Sequence, residues 1–169
     1  GYDVSTASYS NTSIELSSTD NNTRGITFNP TGTKLYRCGA SDDRVDQFST
    51  SLFAQQAKLV SSDSQAYDKF GFSMSLDNDG DTLIVGAPAE RPNSVISAGS
   101  CYIFTRSGTT WSQQAKLVSS VNFLRGEFGN SVTISDDGNI AIGVAMRYKV
   151  NSVETGSGFV FERVGSTWT

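Results

Sequence analysis

The stretch from Gln55 to Ser112 reads QQAKLVSSDSQAYDKFGFSMSLDNDGDTLIVGAPAERPNSVISAGSCYIFTRSGTTWS, and much of it occurs a second time in the chain. The octet QQAKLVSS that opens this stretch recurs at Gln113, and this distance is the period of the repeat. Within the two copies, Phe70-Gly71 matches Phe128-Gly129, and Asp79-Gly80 matches Asp137-Gly138. Self-similarity at a fixed period of this length is the sequence signature of a repeat architecture.

Each repeat reads as a series of short strands. In the first copy, apolar and β-branched residues between turn-forming ones predict strands at Phe72–Leu76, Thr82–Gly86, Cys101–Arg106 and Trp111–Val118. The turn Asp77–Gly80 joins the first two strands as a hairpin. No segment has the length and the 3.6-residue period of an α-helix. Four short antiparallel strands per repeat are typical of β-propeller blades, so we expect an all-β fold of propeller type.

The repeat divides the chain into units. We expect a single repeat domain over 1–169, with an orphan outer strand at 1–16, a short divergent blade at 17–54, a complete blade at 55–112 and a blade at 113–169 that lacks its last strand. These are about three four-stranded antiparallel units. Three blades do not close a ring, since propellers typically have four to eight. We therefore expect the set to be open or to be completed by another chain.

Two motifs resemble known propeller repeats. Phe70-Gly71 together with Gly86-Ala87-Pro88 resembles the FG-GAP repeat, the blade unit of integrin-α-like β-propellers, in its bacterial or environmental form. The second copy keeps Phe128-Gly129 but reads Ile142-Gly143-Val144-Ala145 in its second half, which departs from that pattern. The opening unit, through Phe28–Tyr36, is similar to a lactonase or surface-layer type of blade. The resemblances imply a propeller fold and leave the activity open, because propellers host many functions.

Composition narrows the classes of function. The net charge of −4 and the pI near 4.7 disfavour nucleic acid as a partner, because nucleic acids are bound mainly through Lys and Arg. No apolar run approaches the roughly 20 residues that span a bilayer, so we expect no membrane insertion. The chain contains no histidine, which removes the commonest general base and metal ligand. We predict no enzymatic activity, although a hydrolase built on paired carboxylates stays open.

Several residues are expected inside the fold. Cys38 and Cys101 lie in different units without metal-ligand spacing, so they are interpreted as small buried strand residues, with a disulfide as the alternative. Aromatic residues at matching repeat positions are expected to form the packing between blades. These residues are Phe70, Phe72, Tyr102, Phe104, Phe128, Phe159 and Phe161.

A calcium site is one interpretation of the acidic turn of the first copy. Asp77, Asp79 and Asp81 surround Gly80, and Ca²⁺ prefers clusters of carboxylate and carbonyl oxygens around such a turn. The position two residues before Asp77 is Ser75, which departs from the calcium loops of FG-GAP repeats. An ordinary Asp-Gly hairpin turn explains the same residues, and no other cofactor is expected.

Candidate binding residues lie in the loops between the second and third strands. Arg91 and Asn93 in one copy, and Arg147 and Tyr148 in the other, belong to the least repeat-like segments. Loops on a rigid scaffold commonly carry binding residues, so a glycan or a surface protein is a candidate ligand. The alternative is an ordinary solvated loop.

Two triplets match the acceptor pattern for N-glycosylation. They begin at Asn11 and Asn21. They are meaningful only for a chain that passes through a glycosylating pathway. The alternative is chance, because the chain is rich in Asn, Ser and Thr.

The last unit stops one strand short of the repeat, while the chain opens on a strand without a unit. Placing Gly1–Thr6 after Thr169 restores the pattern seen from Thr109 to Val118. An unpaired strand edge tends to be paired or covered. The chain is therefore expected to be part of a longer propeller, half of a closed pair, or a subunit that donates its N-terminal strand to a neighbour. The expected assembly residues are Tyr2, Asp3, Val4, Phe159, Phe161 and Trp168.

These observations favour a non-enzymatic structural or adhesive module that assembles with itself into a fibre or a closed oligomer. We expect it to be extracellular, on a cell surface or associated with a virion. The alternative is a glycan- or protein-binding propeller domain that belongs to a larger surface or phage tail protein.

Overall fold

The structure is a computed structural model that describes residues 23–29, 31–39, 45–49, 55–121, 123–151 and 153–169. The predicted all-β fold is confirmed, because these residues contain fourteen strands and no α-helix. The one helical segment described is a single 3₁₀ turn at Pro92–Ser94. No helix of the described residues is long and apolar enough to cross a membrane.

The strands form three four-stranded antiparallel sheets, which we call blades 1 to 3. Blade 1 contains β1 (Thr23–Phe28), β2 (Lys34–Gly39), β3 (Val45–Ser49) and β4 (Gln55–Leu59). Blade 2 contains β5 (Ser73–Leu76), β6 (Thr82–Ala87), β7 (Ser100–Ser107) and β8 (Thr110–Leu117). In both blades each strand pairs with the next along the chain, as hairpin-connected strands do.

Blade 3 has the same order with one difference. It contains β9 (Phe128–Ile134), β10 (Ile140–Ala145), β13 (Ser157–Val164) and the two-residue β14 (Thr167–Trp168). The loop between β10 and β13 carries a small hairpin of its own, formed by β11 (Lys149–Val150) and β12 (Val153–Glu154). This hairpin and the short β14 separate blade 3 from blade 2 at the level of strands.

The repeat in sequence and the sheet in space are offset by one strand. Gln55–Leu59, at the start of the first QQAKLVSS octet, pairs with β3 and is the outermost strand of blade 1. The octet at Gln113 likewise lies in β8, the outermost strand of blade 2. The sheets therefore span 23–59, 73–117 and 128–168. The octet recurs because it forms the outermost strand of both blade 1 and blade 2. The last residues of that strand pack on the next blade.

The core consists of two layers, one on each side of blade 2. All six residues of β6 are buried, because the strand packs on both neighbours. Leu83 and Val85 face blade 1, whereas Ile84 faces blade 3. Alternate residues of a strand point to opposite faces, so a blade with two neighbours needs apolar residues at every position.

Aromatic rings fill each layer at equivalent positions, as predicted. The ring of Phe70 lies 5.6 Å from that of Tyr102 and 5.9 Å from that of Phe104, between blades 1 and 2. Between blades 2 and 3, Phe128 repeats the arrangement with Phe159 at 5.6 Å and Phe161 at 6.0 Å. Phe70 and Phe128 are fully buried. These edge-to-face and tilted ring contacts add to the burial of apolar area on each side of blade 2.

Two glycines set the distance between blades 2 and 3. A Cβ on Gly86 would lie 2.0 Å from the carbonyl oxygen of Gly129. Gly129 itself has a φ of +89°, and a Cβ there would lie 2.5 Å from the carbonyl oxygen of Ser100. The Phe-Gly pair of blade 3 thus sits directly on the Gly-Ala pair of blade 2, where no side chain fits.

We predict that Gly86→Ala destabilises the protein by about 1–3 kcal/mol, because the added methyl group forces the two backbones apart. Gly158→Ala is the matched control, since a Cβ at that strand glycine meets nothing closer than 3.9 Å. Thermal unfolding followed by circular dichroism measures both variants. Equal melting temperatures for the two variants would show that the glycine contact does not set the blade spacing.

Candidate functional site

Backbone strain is concentrated at one end of the blades. We call this end the loop end; it consists of 60–72, 88–99, 118–121, 123–127, 146–151 and 153–156, which belong to connections from blade to blade or from the second strand to the third. Every described non-glycine residue with a positive φ lies there: Tyr67, Lys69, Asn93, Ser94, Ser97, Arg125, Glu127 and Asn151. The opposite end instead uses glycine in its tight turns, for example Gly80 and Gly138. Left-handed backbone costs a side-chain-bearing residue about 1 kcal/mol or more and commonly marks functional loops.

The loop end holds two adjacent cavities between blades 2 and 3, which we call the interblade cleft. One cavity has a volume of about 430 Å³ and is lined by Ile96, Phe123, Leu124, Arg125, Arg147, Lys149 and Glu154. The other has a volume of about 340 Å³ and is lined by Lys69, Phe72, Pro88, Ala89, Ser97, Glu127, Asn130, Met146 and Arg147. Arg147 lines both cavities. Sites of this size are typical of small-ligand binding.

Charged side chains line the cleft in two loose ion pairs. Arg147 Nε lies 3.6 Å from Glu127 Oε1, and Lys149 Nζ lies 3.7 Å from Glu154 Oε1. Arg125 also lines the cleft, and none of the described carboxylates lies within ion-pair distance of it. The residues that line the cleft therefore carry more positive than negative charge, although the net charge of the protein is −4.

Tyr148, the other predicted binding residue of this loop, packs against residues beside the cleft and does not line it. Its ring lies 6.1 Å from that of Phe123 and 5.9 Å from that of Phe159. Its carbonyl oxygen accepts hydrogen bonds from the backbone N–H groups of Thr155 and Gly156, at 2.8 and 3.2 Å. Tyr148 thus anchors the loop that presents Arg147.

Arg91 and Asn93 lie in the corresponding loop of blade 2 but do not line the interblade cleft. Both are exposed around the 3₁₀ turn at Pro92–Ser94, in which Asn93 adopts a left-handed φ of 53°. Proline at the start of this turn and asparagine in the left-handed position explain its shape. The four predicted loop residues are therefore divided: Arg147 and Tyr148 belong to the cleft, and Arg91 and Asn93 do not.

The three predicted calcium ligands have separate roles in the structure. Asp77 Oδ1 accepts hydrogen bonds from the backbone N–H groups of Asp81 and Thr82, at 2.9 and 3.0 Å, and so closes the hairpin turn. Asp81 forms an ion pair with Arg106 at 2.7 Å, and Asp79 is exposed to solvent. No group of three acidic, histidine or cysteine side chains that could hold a metal ion occurs among the described residues. The turn accounts for Asp77 and the ion pair accounts for Asp81, while calcium binding at these residues stays a prediction.

A network of charged side chains that the sequence analysis missed lies at the outer part of blade 2. Lys116 Nζ lies 2.6 Å from Asp63 Oδ2 and 3.0 Å from Glu90 Oε1. Tyr102 donates a hydrogen bond of 2.9 Å to Asp63, and Ser100 donates one to Glu90. Lys116 has a repeat partner in Lys58, but its acidic contacts do not recur in the other blades, so the repeat pattern contained no signal for them.

The network stabilises its charged forms. Burial acts to raise the pKa of Asp63, but hydrogen bonds from Lys116 and Tyr102 outweigh it and hold that pKa below its ordinary value. Burial acts to lower the pKa of Lys116, yet its bonds to Asp63 and Glu90 raise it overall. Nearby, burial raises the pKa of Asp68. The lysine and its two carboxylates form a salt-bridged cluster that is satisfied internally.

The remaining predicted residues have these positions. Phe159 and Phe161 lie in the core between blades 2 and 3, and Trp168 Nε1 donates a hydrogen bond of 2.9 Å to Gln114 in β8. Cys38 and Cys101 are both buried, Cys101 is a free thiol, and burial raises the pKa of that thiol. Tyr2, Asp3, Val4, Asn11 and Asn21 fall outside the described residues.

Within the described part of the chain, one face and one edge of blade 3 are uncovered. Val160 and Val164, on the side of β13 that points away from blade 2, are 65% and 71% exposed. Ile103, the position of blade 2 that corresponds to Val160, is fully buried. Along the edge, β14 pairs with β13 at Arg163 and Val164, and Thr169 forms two further backbone hydrogen bonds with Glu162. Among the described residues, the edge of β13 from Ser157 to Phe161 therefore has no strand partner.

A family model described as FG-GAP repeat matches residues 53–104 and 111–161. These matches cover more than half of the chain, and the protein belongs to the FG-GAP repeat family. No curated protein matches the sequence at a significant level. The matched segments contain the Phe-Gly and Gly-Ala-Pro residues whose contact sets the spacing of blades 2 and 3.

Solved structures share the fold at low sequence identity. The β-propeller domain of Myceliophteria thermophila Cps50 (Swd1) aligns with a TM-score of 0.61 and 8% identity over 92% of this chain and 40% of its own. A protein described as a 6-phosphogluconolactonase from Bacteroides uniformis aligns with a TM-score of 0.61 and 17% identity over 85% of this chain and 36% of its own. Kuenenia stuttgartiensis hydrazine synthase aligns with a TM-score of 0.54 and 14% identity over 89% of this chain and 36% of its own. The chain thus spans well under half the length of each, and the likeness shows the β-propeller fold alone.

We predict that Lys116→Met destabilises the protein by about 1–3 kcal/mol, because it leaves the buried carboxylate of Glu90 without its charged partner. The loss should shrink as the pH falls below 3.8, the ordinary pKa of aspartate, and through the lower pKa of folded Asp63, since a protonated Asp63 no longer pairs with the lysine. Lys58→Met, at the equivalent exposed position of blade 1, is the matched control. Chemical denaturation at several pH values measures both, and a pH-independent difference would contradict the ion-pair explanation.

Proposed function

We propose that this protein is a non-enzymatic structural or adhesive β-propeller module that assembles with copies of itself. The observation that carries the proposal is the outward face of blade 3. The outward-facing residue Val160 corresponds to Ile103 of blade 2 and to Gln47 of blade 1, both of which are buried by the next blade. The outward face of blade 3 is therefore equivalent to faces that the next blade covers, and exposed apolar sheet faces mark interaction sites.

The open edge of β13 supports the same proposal. In blade 2, β8 covers the whole length of β7 from Cys101 to Ser107. The corresponding edge of blade 3 offers backbone N–H and C=O groups from Ser157 to Phe161 to an incoming strand. Adding a strand to such an edge supplies main-chain hydrogen bonds without a preformed pocket. We propose that residues 1–10 of a neighbouring copy fill this position, because they restore the repeat when placed after Thr169.

The charged residues of the described blades are consistent with a non-enzymatic role. Lys116, Asp63 and Glu90 satisfy one another in the charged cluster. The chain also has no histidine to serve as a general base. We further propose an extracellular location, on a cell surface or a virion, because this is typical of proteins with FG-GAP repeats.

Deleting Gly1–Ser10 tests the assembly. We expect the truncated protein to lose the oligomer or fibre that the full chain forms, as measured by light scattering and electron microscopy. Circular dichroism serves as the control for folding. A synthetic peptide of residues 1–10 added in excess should bind the truncated protein and should also block assembly of the full chain. The proposal fails if the full chain is monomeric or if the truncated protein forms the same oligomer.

A second candidate function is binding of a glycan or a protein at the loop end. The observation that favours it is the pair of adjacent cavities that share Arg147. Arg147 rather than Arg91 is the residue to substitute, because Arg91 lies outside the cleft. Tyr148 is unsuitable for a test, since its ring packs on Phe159 and its replacement would disturb the core.

A further inference from the structure

We propose that the interblade cleft binds an acidic saccharide, which it recognises by the carboxylates of the ligand and by the apolar faces of its sugar rings. This inference rests on the second candidate function above and names the class of its ligand. It is independent of self-assembly, which uses the face and edge of blade 3.

The charge of the residues that line the cleft is the first argument for an acidic ligand. Lys69, Arg125, Arg147 and Lys149 line the cleft, against two carboxylates from Glu127 and Glu154. The cleft thus carries an excess of positive charge, although the whole chain has a net charge of −4. Guanidinium groups match the planar geometry of a carboxylate and bind it through paired hydrogen bonds. A ligand with carboxylate groups is therefore favoured over a neutral one.

The two ion pairs within the cleft are weak enough for a ligand to replace. Their N···O distances are 3.6 and 3.7 Å, and the side chains of Arg147 and Lys149 are 49% and 38% exposed. Exposed ion pairs of this kind contribute little to stability. The two carboxylates position Arg147 and Lys149 at the cleft. An incoming anion can replace these carboxylates as the partner of the two cations at little cost in free energy. Arg125 has no such pair with any carboxylate that the structure describes.

Apolar side chains beside the cations are the second argument. Ile96 and Leu124, both in the larger cavity, are 49% and 57% exposed. Met146, which is 51% exposed, contributes apolar surface to the smaller cavity, and Phe123 lines the larger one against Tyr148. A small inorganic anion would leave these surfaces unused. A chain of sugar rings places apolar ring faces and charged substituents side by side, as the cleft does.

The backbone of the cleft favours a saccharide over an acidic peptide. The N–H groups of Arg125, Glu127 and Arg147 donate to the carbonyl oxygens of Ile96, Ser97 and Gly126, at 2.9, 3.0 and 3.2 Å. Peptides commonly bind by adding their main chain to open backbone groups. These N–H groups are already used to tie the loops of blades 2 and 3 together. Recognition therefore depends on side chains, which suits a ligand without a peptide backbone.

Calorimetric titration with a tetramer of galacturonic acid tests the proposal. We expect binding that weakens as the ionic strength rises, because salt screens exposed charges. The methyl-esterified tetramer, which has the same rings without the charges, should bind at least about tenfold more weakly. A tetramer of glutamic acid is the peptide comparison and should bind no better than the ester.

Substitutions locate the site. Arg125→Gln with Arg147→Gln should weaken binding of the acidic tetramer about tenfold or more, whereas Lys58→Gln, which removes a charge from the outer strand of blade 1, should not. Circular dichroism and light scattering confirm that fold and oligomeric state are unchanged. Equal binding of the ester would overturn the role of charge while leaving a ligand-binding cleft. Preference for the glutamate tetramer would overturn the saccharide class, and no binding of either tetramer would overturn the inference as a whole.

Discussion

The close approach of two backbones, at Gly86 in blade 2 and Gly129 in blade 3, is the constraint on which the packing of these blades depends. Neither position has room for a Cβ. The hydroxyl of Ser73 donates a hydrogen bond of 2.8 Å to the carbonyl oxygen of Gly129, and Ser75 Oγ accepts one of 3.3 Å from the N–H of Ile134. The innermost strands are thus held together by polar contacts, and the aromatic layer around Phe128 fills the widening space outside them. Phe-Gly of one blade and Gly-Ala-Pro of the preceding blade thus form one contact between successive blades.

The repeated and the unrepeated residues have different roles. Arg106 stacks over Trp111 at 5.7 Å, and Arg163 stacks over Trp168 at 5.6 Å, so each pair closes its blade in the same way. Such repeated contacts build the scaffold. The residues of the interblade cleft are specific to one pair of blades: Arg125 corresponds to Tyr67 in the preceding connection, and Glu127 to Lys69. These pairs share the left-handed backbone and differ in their side chains, as expected where a common loop shape presents variable groups.

The sequence predicted the scaffold well because its physical causes are local and repeated. The alternation of side chains along the strands, the Asp-Gly turns and the matched aromatic residues each depend on residues that are close in sequence, and each recurs in the repeat. The bounds of the four strands from Phe72 to Val118 are therefore predicted to within a few residues. The cleft was predicted only in part, through Arg147 and Tyr148. Lys69, Arg125 and Glu127 come from connections between blades, and only the spacing of the blades brings them to Arg147. The charged cluster around Lys116 has the same cause, since Asp63 and Glu90 approach it from two different loops.

The departure of blade 3 from the repeat pattern limits what can cover its open face. Val144 stands where blade 2 has Gly86, so a glycine carbonyl cannot approach it as Gly129 approaches Gly86. The contact between blades 1 and 2 shows that a side chain is tolerated at this point, because Cys38 occupies the equivalent position and is buried. Valine is larger and branched, so a covering sheet has to stand further away there. Pairing along the edge of β13 is free of this restriction, since it uses backbone groups on a different side of the strand. The proposed strand addition is therefore less constrained than packing on this face.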